Sequence, residues 1–183
     1  MEPPMDKKPV ILFSTLTGNA FKLACAAADS MPCDYLGPYN IYNYNIIKPN
    51  LIEDYDTFIV TYWCDKGSAD KETISFIEKC RGKNLIILGT LGVNPESEHG
   101  AKVRANVEAL ASRENNLVAH YLCWGSIDLK RTFEKTKIPE GEKGHLSMER
   151  FERQKLSIGH PNGHELFEAG VVVRQAMKSL YKI

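Results

Sequence analysis

Pro9-Val10-Ile11-Leu12-Phe13-Ser14-Thr15-Leu16-Thr17-Gly18-Asn19-Ala20-Phe21-Lys22-Leu23-Ala24 is the stretch on which the fold turns. The apolar run to Phe13 reads as a buried strand, and Phe21 to Ala28 reads as a helix, so the hydroxyl-rich turn between them presents a helix start at a strand end. The first amides of a helix have no intrahelical partner and sit at its positive end, which suits a dianionic phosphate. Ser14, Thr15, Leu16, Thr17, Gly18, Asn19 and Ala20 form this candidate seat. Thr15 and Thr17 add hydroxyl donors, Gly18 lets the backbone approach the oxygens, and Asn19 is expected to cap the helix or take a left-handed turn. No cationic side chain is needed. The same residue types also make an ordinary helix cap that holds no ligand.

Outward from this turn, apolar β-branched runs alternate with helical patterns, the mark of a parallel sheet covered on both faces. Strands are expected at 9–14, 33–36, 56–62, 84–90 and 117–124, and helices at 19–31, 69–80, 99–113 and 163–181. The fold class is α/β, a three-layer sandwich with a five-stranded parallel sheet in the order 2-1-3-4-5. A ligand crevice then lies beyond the carboxyl ends of strands one and three, where the turn sits. Residues 35–50 hold half of the eight tyrosines and read as a partly buried loop or an aromatic contact surface. Residues 128–162, rich in charge and Gly/Pro with one short helical pattern at 148–153, are an extension between the last strand and the last helix. The sequence leaves three uses for it open: capping the crevice, docking a partner, or wrapping the surface.

Composition sets the outer bounds. With 183 residues, 43% hydrophobic and 25% charged, residues 1–183 are expected to form a single domain that buries a sizeable core. No apolar run approaches the length of a membrane span, and residues 1–8 lack the apolar core of a signal peptide, so the expectation is a cytoplasmic protein. Five cysteines, an odd number without Cys-x-x-Cys spacing, point to free thiols in a reducing compartment and against a metal cluster. Net charge is zero with no basic run, so nothing suggests nucleic acid. Residues 1–80 carry 11 acidic against 7 basic side chains, and residues 81–183 carry 12 against 16.

Ser/Thr-x-Thr-Gly-Asn at the end of a first strand resembles the pattern by which flavodoxins hold the phosphate of FMN, with a departure at Ala20, where flavodoxins usually carry a further Thr. The resemblance covers residues 9–124. From Asp56 to Asp128 it is strongest, through Tyr62-Trp63-Cys64-Asp65-Lys66-Gly67-Ser68-Ala69-Asp70-Lys71, Leu88-Gly89-Thr90-Leu91-Gly92 with Ser97-Glu98-His99, and Leu122-Cys123-Trp124-Gly125. These segments look like a flavodoxin subfamily of anaerobic bacteria, one branch of which includes the accessory flavodoxin of bilirubin reductases. The resemblance implies FMN as cofactor and electron transfer between redox partner proteins as function, with no catalytic side chain and no metal.

It also implies where the ring lies. The loop Thr61-Tyr62-Trp63-Cys64-Asp65-Lys66-Gly67 would contact the flavin first, with Trp63 stacking on it, Tyr62 as the competing candidate and Thr61 reaching back toward the phosphate. A core position for Trp63 stays open. Thr90, Leu91, Gly92 and Val93 would meet the pyrimidine edge. Where flavodoxins place a second aromatic, the nearest counterpart is His99, which also reads as a helix-start or surface histidine. Many flavodoxins carry a glycine after the tryptophan, whose peptide flips to bond the half-reduced ring. Cys64 occupies that place, so a less favoured one-electron state is expected unless Gly67 takes over. Two other readings compete: an FMN-dependent NAD(P)H oxidoreductase on the same fold, and a cofactor-free regulatory module. The module would need carboxylates after strand one to hold magnesium, and this chain has Ser14 and Thr15 there instead.

Overall fold

The computed structural model describes residues 8–182; the stretch read for a signal peptide lies, but for Lys8, outside them. Five parallel strands, β1 (Val10–Phe13), β2 (Leu36–Asn40), β3 (Thr57–Asp65), β5 (Asn84–Leu91) and β6 (Asn116–Trp124), pair in the order β2-β1-β3-β5-β6. A sixth strand, β4 (Ser68–Ala69), departs from the five-strand expectation: it folds back antiparallel on the end of β3, pairing Cys64 with Ala69 and Asp65 with Ser68. Lys66 (φ 49°) and Gly67 (φ 82°) make the reversal. Two consecutive positive φ values in a two-residue loop match the twist of an antiparallel pair, which is why the ribbon closes there.

Alternation along the central strands sends side chains to two cores. Val10, Leu12, Phe58, Val60, Leu85 and Ile87 pack against Phe76 and Ile77 of α4 (Lys71–Lys79) and Val103 and Val107 of α5 (Glu98–Ser112). Ile11, Ile59, Ile86 and Leu88 face Leu23, Ala24 and Ala27 of α1 (Asn19–Asp29) and Ala169, Val173 and Met177 of α8 (Gly163–Tyr181). Each fully buried aliphatic contributes about 1.5–3 kcal/mol. α8 begins with a capping box, Asn162 and Glu165 each bonding the other's backbone N–H.

The second strand lies a few residues later than expected, inside the tyrosine-rich segment; the single-turn helix α2 (Tyr44–Ile47) follows within that segment and a second, α3 (Leu51–Asp54), comes just after it. Between β6 and α8 the chain folds into α6 (Leu129–Glu134), a 3₁₀ turn (Lys135–Lys137) and α7 (Met148–Lys155). Among the described residues, no helix is long and apolar enough to cross a membrane.

Candidate functional site

At the carboxyl ends of β1, β3, β5 and β6 lies a cleft of about 330 Å³. Its first wall is the turn before α1. Gly18 takes the left-handed conformation (φ 90°) and stands at the helix cap, and Asn19 is already helical. Thr15 Oγ1 accepts from the Gly18 N–H at 2.9 Å, and Thr17 Oγ1 accepts from Asn19 Nδ2 at 3.0 Å. Both hydroxyl oxygens are thus held by acceptor bonds, which leaves each O–H proton to donate into the cleft. Thr15, Leu16, Thr17 and Asn19 line it.

Asn19 does not cap its helix as expected. Its side-chain amide reaches instead to the carbonyl of Ser126 at 2.8 Å, tying the turn to the chain that leaves β6. Ser14 faces away from the cleft: fully buried, it donates to Asp70 Oδ1 at 2.8 Å. Asp70 caps α4, accepting from the Glu72 and Thr73 N–H groups and from Thr73 Oγ1, so this buried carboxylate is satisfied on every side. Thr61 is buried too and donates to the carbonyl of Ala20 at 2.8 Å, so it braces the first turn of α1 from behind, and Ala20 is itself fully buried.

The second wall is the end of β3. Trp63 is half-buried and lines the cleft with Cys64 and Asp65. Tyr62 points to the opposite face. It is fully buried, and a Cβ on Gly89, its cross-strand partner, would run into its ring. The Tyr62 hydroxyl lies 3.0 Å from His120 Nε2, and His120 Nδ1 lies 3.1 Å from Glu108. A carboxylate only accepts, so Nδ1 carries the proton and Nε2 accepts from the tyrosine. Burial pushes the His120 pKa down against the pull of Glu108, and burial likewise raises that of Tyr62. Of the two aromatic candidates, Trp63 alone borders the cleft.

Cys64, paired with Ala69, is not among the positive-φ residues; the left-handed positions fall two and three residues later, at Lys66 and Gly67. Burial pushes the Cys64 thiol up to about 11, while the Gly67 and Ser68 amides, directed at the sulfur, pull the other way. The Gly67 carbonyl is clamped by Asn106 Nδ2 at 2.8 Å. Thr90, Leu91 and Gly92 form the floor at the end of β5. Gly67, Val93 and His99 line an adjoining pocket of about 320 Å³ with Lys66 and Lys102; it shares Cys64, Leu91, Gly92 and Gln154 with the main cleft. His99 is the second residue of α5 and exposed.

The remaining wall comes from residues that the sequence reading left unassigned. Gly125, Ser126, Ile127 and Asp128 follow β6, Arg131, Thr132 and Lys135 come from α6 and the 3₁₀ turn, and Gln154 comes from α7. Of the segment 128–162, Asp128, Arg131, Thr132, Lys135 and Gln154 thus border the crevice. Its return is pinned by Ser126 Oγ, which donates to the His160 carbonyl at 2.7 Å and accepts from the Gly159 N–H, and by Ser157 Oγ, which accepts from the Ile127 N–H at 3.1 Å. Asp128 was the one signal for α6 in the sequence: its carboxylate accepts from the Arg131 N–H and caps the helix. Among the described residues, no group of acidic, histidine or cysteine side chains is arranged to hold a metal. The donor set fits an organic phosphate joined to a flat ring: hydroxyls and helix-start amides at one end, an indole beside the other.

The model of the flavodoxin domain family matches residues 10–174. A flavodoxin-like domain-containing protein, BilS, of Clostridioides difficile is 26% identical over 174 residues, covering 93% of this chain and 96% of that protein. Among solved structures, the Fusobacterium nucleatum flavodoxin bound to flavin mononucleotide superposes with a TM-score of 0.53 at 13% identity, over 96% of this chain and 97% of that one. A flavodiiron core from Synechocystis gives 0.52 at 14% identity, over 97% of this chain but 37% of that one.

Proposed function

Because the chain belongs to the flavodoxin domain family, we propose that it binds FMN in the cleft above β1 and β3 and carries electrons between redox partner proteins. The observation that carries this reading is the joint presence, in one cleft, of the Thr15 and Thr17 hydroxyls, the start of α1 and the half-buried Trp63 indole. Bound FMN supplies the redox chemistry, accepting one or two electrons. The chain's residues bind and shield it. Thr15, Thr17 and the first amides of α1 donate to the phosphate, with Gly18 keeping the turn open. Trp63 supplies the apolar face and excludes water from the ring, a contact that adds about 0.5–1.5 kcal/mol beyond burial. Leu91 and Gly92 close the floor.

This reading needs no general acid or base from the chain. Tyr62 and His120 are bonded to each other below the sheet end, and the Cys64 thiol stays protonated near neutrality. Exposed apolar side chains, Leu16 in the cleft wall and Leu129 and Phe133 on α6, support the reading as contacts for a redox partner. Absorption and fluorescence titration of the purified protein with FMN tests the reading. Saturation at one equivalent with quenched flavin emission is expected, and Trp63→Ala should restore much of the emission. A titration with no spectral change and no measurable affinity defeats it. Steady turnover of NADH or NADPH by the loaded protein alone would favour the oxidoreductase instead.

A further inference from the structure

The cleft has a charged wall that the phosphate seat of loop and helix does not itself require. α6 carries Arg131 and the following turn carries Lys135, four residues on and still in right-handed helical conformation, so the two lie one helical turn apart, and both line the cleft. Neither side chain has an acidic partner among the described residues. The segment makes its ion pairs on exposed faces elsewhere, Lys137 with Glu134, Arg153 with Glu149 and Lys155 with Glu152. Of the two carboxylates in the cleft wall, Asp128 has an oxygen committed to capping α6, and Asp65 belongs to the β3 wall beside Trp63 and Cys64. The root of α6 is fixed at the phosphate end of the cleft, because Asn19, the residue after Gly18, bonds Ser126 at 2.8 Å, two residues before the helix cap.

We infer that Arg131 and Lys135 are the counter-charges of the bound phosphate, which makes α6 a cationic cover over the anion end of the cleft. The inference rests on the FMN reading above. A guanidinium presents a planar fork to two phosphate oxygens and an ammonium adds a compact second charge. Hydrogen bonds between ionised partners are roughly twice as strong as neutral ones. Affinity for the phosphate then comes from two elements that are far apart in sequence, the turn between β1 and α1 and the β6–α8 segment.

The experiment compares dissociation constants for FMN and for riboflavin, which lacks the phosphate, in the wild-type protein, in the double variant Arg131→Ala/Lys135→Ala, and in Lys130→Ala, whose exposed side chain does not line the cleft. The double variant should bind FMN at least about ten-fold more weakly. It should bind riboflavin as before, which also reports that it is folded, and it should lose most of the salt dependence of FMN binding. Lys130→Ala should match wild type, and inorganic phosphate should compete with FMN better in wild type than in the double variant. Equal weakening of both flavins, or no weakening of either, overturns the inference. So does a lowered reduction potential with an unchanged FMN-to-riboflavin ratio, since that places the charges against the ring. Wild-type protein that binds neither flavin defeats the FMN reading itself, a failure distinct from these.

Discussion

The two long walls of the cleft stand on different foundations. The turn between β1 and α1 is carried by α1, whose Leu23, Ala24 and Ala27 are fully buried against Ile11, Ile59 and Val173. The opposite wall is carried by α6 and α7, and between residues 129 and 162 only Leu146, Phe151, Ser157 and Pro161 are buried. One wall is part of the main core. The other is a small apolar contact, Phe133 on Phe151 with ring centroids 5.4 Å apart, held down by the hydrogen bonds of Ser126 and Ser157. A segment with few buried apolar contacts opens locally at a lower free energy than the whole molecule. The neutral, rigid wall and the charged, loosely founded wall are therefore expected to respond differently to the same kind of damage.

Truncation in each foundation breaks or sharpens that contrast. Leu23→Ala removes a fully buried side chain from the main core and should lower global stability by about 2–5 kcal/mol, measured by denaturant unfolding. Phe151→Ala removes as much apolar surface, but its effect on the global transition is limited by how little the segment contributes when it opens. A loss of under about 1 kcal/mol is expected, together with faster amide exchange confined to residues 129–158. A fall in global stability as large as that of Leu23→Ala would show that the two walls form one cooperative unit.

Acid should act on the sheet side. His120 is held neutral by burial, with the Tyr62 hydroxyl on one nitrogen, the Glu108 carboxylate on the other and the Arg104 charge nearby. Its folded pKa is lowered, so below the ordinary value near 6.5 the unfolded chain takes up a proton that the folded one refuses. Stability contributed by this group is present above that value and is lost as the pH falls from there to the folded pKa. Stability measured from pH 7.5 to 5 should decline, and His120→Gln should flatten the decline. Amide protection on α6 and α7, measured against the intrinsic exchange rate at each pH, should stay unchanged over that range, since none of these groups belongs to the segment.

How much of this was legible follows the same division. β1, β3 and β5 were readable to within a few residues because strands buried on both faces are continuous apolar runs, and Ile59, Ile86 and Ile87 have no polar neighbours to obscure them; β6, an edge strand of mostly intermediate burial, was readable as well. β2 was displaced because Leu36-Gly37-Pro38-Tyr39-Asn40 looks like a turn. As the edge strand it tolerates a proline, and Gly37 is needed where a side chain would strike the Ile11 carbonyl. The choice between Tyr62 and Trp63 had an unused signal in Gly89: a glycine inside a strand marks a close approach, and here the guest is the tyrosine ring. Arg131 and Lys135 carried no comparable mark. Two cations four residues apart on a short helix have the pattern of an ordinary solvated face, and it takes tertiary contacts, the bond from Asn19 to Ser126 among them, to bring them to the cleft.

The smallest effect tests the turn that divides the main cleft from its neighbour. Lys66 sits at φ 49° beside Gly67 at φ 82°. In the left-handed region the Cβ of an ordinary L-residue crowds the backbone at a cost of roughly 1 kcal/mol, which asparagine partly relieves by bonding locally. Asn-Gly is also the favoured pair for a two-residue hairpin with positive φ at both positions. Lys66 is exposed and has no ion-pair partner among the described residues, so its charge contributes little to the fold. Lys66→Asn should therefore stabilise the protein by about 0.5 kcal/mol and raise the melting temperature by about 1–2 °C. The gain should leave FMN affinity unchanged, because Lys66 borders the adjoining pocket and not the main cleft. A weaker FMN complex in this variant would mean that the adjoining pocket is part of the cofactor site, and that the charged wall extends around the ring as well as over the phosphate.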